Sequence, residues 1–315
     1  MIPLLQRISD SYDICIQNST DAPRQFVAET YIIHTENQRF FCKVISKPLF
    51  LHQVEKSLPV TMVLSHVGFN EMAKPILTKN NMPFVINDGS LIALFEYVDA
   101  PQSYEYDAFT FGKLIAKLHN KTEEVIEHVK EEISTEDFQF EFAKQVFDHL
   151  KKIAIKETNN QLEKRLALLI SNSIEKIKSY LDTFQRVTSA LSSSSTPFVL
   201  THGDAPGNIL VKSPTDLCIV DWDGLQLAPA ERDLVFMADH LEFLRGYHEL
   251  RPQYVEHENA RKHAILSRFF HDLQEYVEEI QKDHSHDHRE KNLIAFEKYL
   301  SEETGWIHPF LRTTI

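Results

Sequence analysis

The sequence predicts an α+β protein of two lobes, strand-rich over residues 1–98 and mainly helical over residues 99–315. Three observations predict it. Apolar runs with strand character alternate with turn residues before position 98, helical periodicity dominates after it, and two short strand patterns interrupt the helices near position 200. A length of 315 residues suits two lobes, and 43% hydrophobic with 25% charged residues is ordinary for a soluble globular chain.

In the first lobe, Glu29 to His34 and Arg39 to Val44 are β-branched and aromatic runs, with Thr35 to Gln38 between them as a hairpin turn. Leu49 to His66 carries Leu51, Val54, Leu58, Met62 and Leu64 at roughly helical spacing, and Pro59 is expected to break or kink that helix. Leu91 to Val98 is a further strand, ending at the turn-like Asp99-Ala100-Pro101 that marks the lobe boundary. In the second lobe, Phe109 to His119 places Phe111, Leu114, Ile115 and Leu118 on one face. Glu123 to Leu191 reads as two or three amphipathic helices, and Ser192 to Thr196 as a loop. Phe198 to Thr201 and Leu217 to Val220 are short apolar strands, and Asp233 to Leu300 returns to helix.

Composition narrows the function. The formal net charge is −13 with a pI near 5.6, which repels phosphate backbones and argues against nucleic-acid binding. An acidic surface suits a cationic small molecule, although solubility alone accounts for it equally well. No run approaches the roughly 18 apolar residues of a membrane span, and MIPLLQRISDSYD has neither a basic leader nor a sustained apolar stretch. Cys15, Cys42 and Cys218 are odd in number, far apart and set among apolar residues. Buried, reduced thiols of a cytoplasmic protein are therefore expected, without metal-type spacing.

Residues 201–223, THGDAPGNILVKSPTDLCIVDWD, carry the chemistry. One strand delivers His202-Gly203-Asp204, a short loop follows, Asn208 opens the next strand, and a hairpin returns to Asp221-Trp222-Asp223. Asp204, Asn208 and Asp221 thereby converge at the ends of neighbouring strands. Phosphoryl transfer needs this set: a carboxylate to orient the attacking hydroxyl and accept its proton, and hard oxygen ligands to hold Mg²⁺ against phosphates.

The order HGD…N…DWD resembles the catalytic core of the aminoglycoside and choline-type phosphotransferases, relatives of the protein kinases. Ile219 to Met237 is especially similar to the spectinomycin phosphotransferase branch, and Leu114 to His119 matches the family's helix before the catalytic segment. The resemblance implies a bilobal kinase-like fold, with MgATP between the lobes and in-line transfer to a small-molecule hydroxyl. It implies Asp204 as catalytic base and Asn208 and Asp221 as metal ligands. Lys43 would bind the α- and β-phosphates, and Glu55 on the following helix would hold it by an ion pair. The backbone of Glu96, Tyr97 and Val98 would form the hinge against a purine edge. His202 would brace the catalytic loop. The acceptor would lie near Asp204, walled by helices from the 105–190 and 233–300 regions. An aminocyclitol or aminoglycoside is the leading acceptor. Choline, a sugar or an amino alcohol is the alternative, and a non-catalytic nucleotide-binding protein is a third reading.

Two departures from the family pattern stand out. Kinases keep four residues between the catalytic Asp and the Asn, whereas here only Ala205, Pro206 and Gly207 intervene. The strand after Asn208 is expected to fix its position, with Gly207 supplying an unusual backbone angle; otherwise the metal ligand is misplaced and activity falls. The stretch before the first hairpin, Asn18 to Gln25, has no glycine. Backbone amides, the hydroxyls of Ser19 and Thr20, and Arg24 are the candidates for phosphate contact there.

The remaining candidates carry competing readings. Asp223 is a metal-site, substrate or capping residue. Glu231 begins a helix with Arg232 and Asp233, where acids favour the positive dipole end, or else touches substrate. Asp283 to His288 sets His284 and His288 four apart, as a metal pair or a solvated polar stretch. Trp222 and Trp306 stack on a ligand or pack in the interior.

Overall fold

The computed structural model describes residues 2–22, 28–129, 133–282 and 285–301. It opens with α1 (Ile2–Tyr12), a helix absent from the sequence expectation, followed by β1 (Asn18–Asp21), β2 (Glu29–His34) and β3 (Arg39–Ile45). Next come α2 (Pro48–His66), β4 (Val85–Asn87) and β5 (Ser90–Glu96). The helices α3 (Ala108–Asn120), α4 (Thr122–Val129), α5 (Glu141–Ala154) and α6 (Gln161–Ser192) follow. Then β6 (Val199–Thr201), β7 (Ile209–Ser213), β8 (Asp216–Ile219) and β9 (Gln226–Ala228) lead to α7 (Glu231–Leu234), α8 (Leu241–Leu250), α9 (Glu258–Gln281) and α10 (His286–Leu300).

The chain divides into two compact units: Met1–Glu136 with Pro197–Asp233 and Met237–Tyr254, and Asp137–Thr196 with Leu234–Phe236 and Val255–Ile315. The N-terminal sheet and residues 201–223 therefore share one unit. That sheet is antiparallel, in the order β1-β2-β3-β5-β4. The period of two in β3 sorts its side chains onto two faces. Phe40, Cys42 and Val44 pack with Ile8 and Tyr12 of α1. Phe41, Lys43 and Ile45 take the opposite face, where Ile45 meets Val54 and Leu58 of α2. Lys43 is thus delivered to an interior face by strand register alone, opposite Ala93.

Helix α2 runs through Pro59 without ending, so of the break or kink expected there the break does not occur. The proline removes the N–H that would bond the Glu55 carbonyl. Glu55 is on the exposed side, where water can replace that donor, while Val54, Leu58, Val60 and Leu64 are buried and hold the helix down. Cysteine placement also differs from expectation: Cys42 and Cys218 are buried but Cys15 is exposed. Burial pushes the Cys42 thiol up to about 12 and the Cys218 thiol up to about 11.

In the first unit α3 and α8 cross with their backbones touching. A Cβ built on Gly112 would lie 2.0 Å from the carbonyl oxygen of Phe243, and one on Gly246 would lie 1.9 Å from that of Phe109. Only glycine permits so close an approach. In the second unit α6, 32 residues long and capped by the Asn160 side chain, packs with α5, α9 and α10. Tyr180 meets Phe269 edge-on at 5.0 Å and Phe184 stacks on Phe270 at 5.9 Å. His263 is buried between Phe138 and Phe184, with no hydrogen-bond partner for Nε2 among the described residues. Burial lowers its pKa to about 4, opposed by Asp137 and assisted by His271.

Gly112→Ala and Gly246→Ala should each lower stability by at least about 2 kcal/mol, because the added methyl overpacks a backbone–backbone contact; urea midpoints will test this. The unfolded state binds a proton at the 263 imidazole below about pH 6.5 and the folded state only near 4. Stability is therefore complete above about pH 6.5 and is lost as pH falls towards 4, by about 2 kcal/mol between pH 7 and pH 5. In His263→Phe that part of the pH dependence should vanish; an unchanged profile would assign the proton uptake to another group.

Candidate active site

Lys43 is 3% exposed and extends from β3 to the segment after β8, with Nζ 2.7 Å from Asp221 Oδ1 and 2.5 Å from Asp223 Oδ2. The backbone makes this possible. Asp221 is left-handed, at φ 63° and ψ 63°, and the 3₁₀ turn Trp222–Gly224 that follows returns Asp223 to the same cation. Burial opposes the charge on Lys43, yet Asp223 and Asp221 outweigh it and hold the ammonium above the usual lysine range. Burial, with Asp221 adding to it, pushes the Asp223 carboxyl up to about 6 against the pull of Lys43.

The segment that carries Asp204 hangs from a second buried acid. Asp233 accepts hydrogen bonds from the backbone N–H of His202 at 3.0 Å and of Gly203 at 2.5 Å, and from His119 Nε2 at 3.0 Å. Tyr247 donates to His119 Nδ1 at 2.7 Å, which fixes the imidazole from its other side. Burial works against the Asp233 charge, but His119, Arg232 and His202 prevail and hold its carboxyl below the usual range. Arg232 runs beneath the loop and donates to Thr201 Oγ1 at 2.8 Å and to the Gly224 carbonyl at 2.9 Å. At Gly203, where φ is +87°, a Cβ would sit 2.2 Å from that guanidinium. His202 is buried, donates from Nε2 to the Val220 carbonyl at 3.0 Å, and accepts from the Asp204 N–H at 3.2 Å. It ties Asp204 to the strand leading to Asp221.

The clipped loop closes as a turn in which the Asn208 N–H donates to the Ala205 carbonyl at 2.9 Å. The unusual backbone angle is at Gly203, before the loop; Gly207 is not among the residues of positive φ. Asn208 Nδ2 donates to the Asp204 carbonyl at 2.8 Å and lies 3.4 Å from its Oδ2. Its backbone carbonyl accepts from Val220 at 2.9 Å, so Asn208 is moored to the residue before Asp221.

Asn208, Asp221, Asp223 and Lys43 line a cleft of about 460 Å³, within the size range of small-ligand sites. Glu96, Tyr97 and Val98 line it too, as do the apolar Ile32, Phe41 and Leu58. Arg39 lies 4.1 Å over the Tyr97 ring and pairs with Asp99 at 2.9 Å, fastening the segment after β5 to β3. Trp222 lines the cleft while 4% exposed, edge-on to Phe69 at 5.8 Å. Asn208 Oδ1 and the two carboxylates are hard oxygen donors that suit Mg²⁺, which is commonly held by one or two carboxylates together with substrate phosphates. Among the described residues no cluster of His, Cys, Asp and Glu could hold a metal by itself.

Other sequence candidates stand elsewhere. Glu55 is exposed and does not pair with Lys43: it sits about 100° round α2 from Val54, off the face that packs on the sheet. Ser19 and Thr20 lie on edge strand β1, where Thr20 Oγ1 is 3.1 Å from His34 Nε2; Ala22, not they, lines the cleft. Glu231 is buried and accepts from the Tyr254 hydroxyl at 3.0 Å, so its carboxylate is engaged in the scaffold. His288 is 3.1 Å from Glu279, whereas Arg24, Asp283, His284 and Trp306 fall outside the described residues. Sequence reasoning missed His119, Arg232 and Asp233 as the supports of the loop. Their signal was an acid and a base side by side at a helix start, with a histidine ending the helix that precedes the catalytic segment.

The model of the phosphotransferase enzyme family, APH, matches residues 22–267. The chain belongs to this family. No curated protein matches it in sequence. Among solved structures it is similar to spectinomycin phosphotransferase APH(9)-Ia in complex with ADP and spectinomycin, with a TM-score of 0.78 at 18% identity, covering 99% of this chain and 98% of that one. It is also similar to the amicoumacin kinase hAmiN with AMP-PNP, Ca²⁺ and its ligand, with a TM-score of 0.57 at 12% identity over 98% and 96% of the chains. Choline kinase LicA from Streptococcus pneumoniae gives a TM-score of 0.56 at 14% identity over 96% and 98%. At these identities the likeness establishes the fold: a five-stranded antiparallel sheet followed by helices, as in kinase-like members of the family.

Asp233→Ala should destabilise the protein by about 3–5 kcal/mol, since it removes the partner of buried His119 and the negative charge near buried Arg232, and orphans two loop amides. A urea midpoint close to that of the unaltered protein would show that the loop is held by other means.

Proposed function

We propose that this protein is a small-molecule kinase that transfers the γ-phosphoryl group of ATP to a hydroxyl of an aminocyclitol or aminoglycoside-like acceptor. The observation that carries the reading is the convergence of Lys43, Asn208, Asp221 and Asp223 on one cleft, with Asn208 bonded to Asp204. Asp204 accepts the proton of the acceptor hydroxyl. The new O–P bond forms as the bond between the γ-phosphorus and the β-phosphate oxygen breaks, and ADP leaves. Lys43 balances phosphate charge, and the hinge segment at Glu96 to Val98 takes the purine edge. Magnesium, held by Asn208 and Asp221 with Asp223 beside them, would neutralise charge across the phosphates. The aminocyclitol acceptor is supported by the fold likeness to the spectinomycin enzyme and by the net charge of −13. An amino-alcohol acceptor is the second reading, supported by the likeness to choline kinase.

The test is ADP release from MgATP across a panel of aminocyclitols, aminoglycosides, choline, amino alcohols and sugars, with the phosphorylated position mapped. Turnover of choline with none of the aminocyclitols would remove the first acceptor class. Asp204→Ala should lower kcat by at least about a hundredfold while nucleotide affinity stays near that of the unaltered protein. Unchanged turnover would dismiss Asp204 as the base.

A further inference from the structure

The loop Ala205-Pro206-Gly207 has little with which to hold itself. Its N-terminal side is anchored by Asp233 through the amides of His202 and Gly203, and its C-terminal side by the bond from Val220 to Asn208. Between these, Pro206 has no N–H and Gly207 no side chain. Their two carbonyls are held from outside, by a segment that no sequence motif singled out. Gln102 Nε2 donates to the Gly207 carbonyl, and the Tyr106 hydroxyl donates to the Pro206 carbonyl at 3.4 Å.

This segment, Pro101 to Asp107, is itself a fixed strap. Gln102 pairs with Leu210 as an antiparallel bridge. The Ser103 N–H donates to Ile209 at 3.2 Å, Val211 to Pro101 at 2.9 Å, and Asp107 to Pro214 at 3.0 Å. The strap thus lies along β7 like a third strand beside the β7–β8 hairpin, and places its donors above the loop. Burial pushes the Tyr106 phenol up to about 12, with Tyr104 adding to it, so the hydroxyl remains a donor at any working pH. Gln102 also lines the cleft together with Asn208.

We infer that Gln102, assisted by Tyr106, is a positioning residue that takes over for the residue missing from the catalytic loop: it fixes Gly207 and thereby the direction in which Asn208 offers its oxygen. The inference rests on the metal-assisted phosphotransfer proposed above. It assigns Gln102 an effect on the magnesium-dependent part of nucleotide binding, beyond any effect on the nucleotide alone.

The test compares ATP affinity with and without magnesium, by calorimetric titration, in the unaltered protein and in Gln102→Leu, which keeps the bulk and removes the donor. The magnesium enhancement should shrink about fivefold in Gln102→Leu, the worth of one hydrogen bond, while metal-free affinity stays within about twofold. An undiminished enhancement overturns the inference. So does an equal loss with and without metal, which would make Gln102 a simple wall of the cleft. If Gln102→Leu fails to fold, as judged by its thermal transition, Tyr106→Phe reads the same quantity, with a loss of about twofold or more expected and no loss overturning. Absence of any magnesium enhancement in the unaltered protein would sink the phosphotransfer reading and this inference together, a result distinct from equal enhancement in both proteins.

Discussion

Asp233 keeps a negative charge where no solvent reaches it, and the N–H groups of His202, Gly203 and His119 are arranged around it. An isolated buried carboxylate costs several kcal/mol after relaxation. Three charge-assisted bonds of about 1.5–3 kcal/mol each are enough to offset that. The exchange is worthwhile because two of the donors are backbone amides of the segment that presents Asp204. Tyr247 and the α3–α8 crossing extend the same support outward: glycine at both crossing points lets α8 come close enough for its tyrosine to reach the histidine at the end of α3.

The cleft has a different electrostatic character. Lys43 faces two carboxylates, so the group carries an excess negative charge when both are ionised, in a largely buried setting. Burial first, and the neighbouring Asp221 carboxylate with it, raises the Asp223 carboxyl. A core built for stability alone would avoid such crowding; functional sites are where local conflict of this kind is found. The loop side is satisfied by internal partners, whereas the cleft side is left needing positive charge from outside.

The strands, and the gathering of Asn208 and Asp221 from the segment after β6, were legible because each rests on a local rule: period two in β2 and β3, and apolar strand ends beside His202 and Asp221. Convergence of Asn208 with Asp221 followed from the hairpin between them. Features that depend on three-dimensional company were not legible. The resemblance implied Glu55 as the partner of Lys43, yet the rotation of α2 leaves Glu55 exposed, and Lys43 pairs with Asp221 and Asp223 instead. Pro59 was expected to break or kink α2; the break does not occur, because tertiary packing at Leu58 and Val60 outweighs one lost hydrogen bond. Gly207 looked like the strained residue of the shortened loop, whereas the strain is taken up at Gly203, where Arg232 leaves no room for a side chain. Gln102 and Tyr106 gave no signal, because their partners are carbonyls 105 and 100 positions along the chain.

In many kinases the phosphate-binding lysine is disarmed by swinging a helix, and with it a glutamate, outward. Here both counter-charges of Lys43 come from the turn after β8, and α2 reaches the cleft through the apolar Leu58. A tilt of α2 would open packing without unfastening the cation. Because both acids that hold Lys43 belong to the segment after β8, a shift of α2 alone would leave those counter-charges in place.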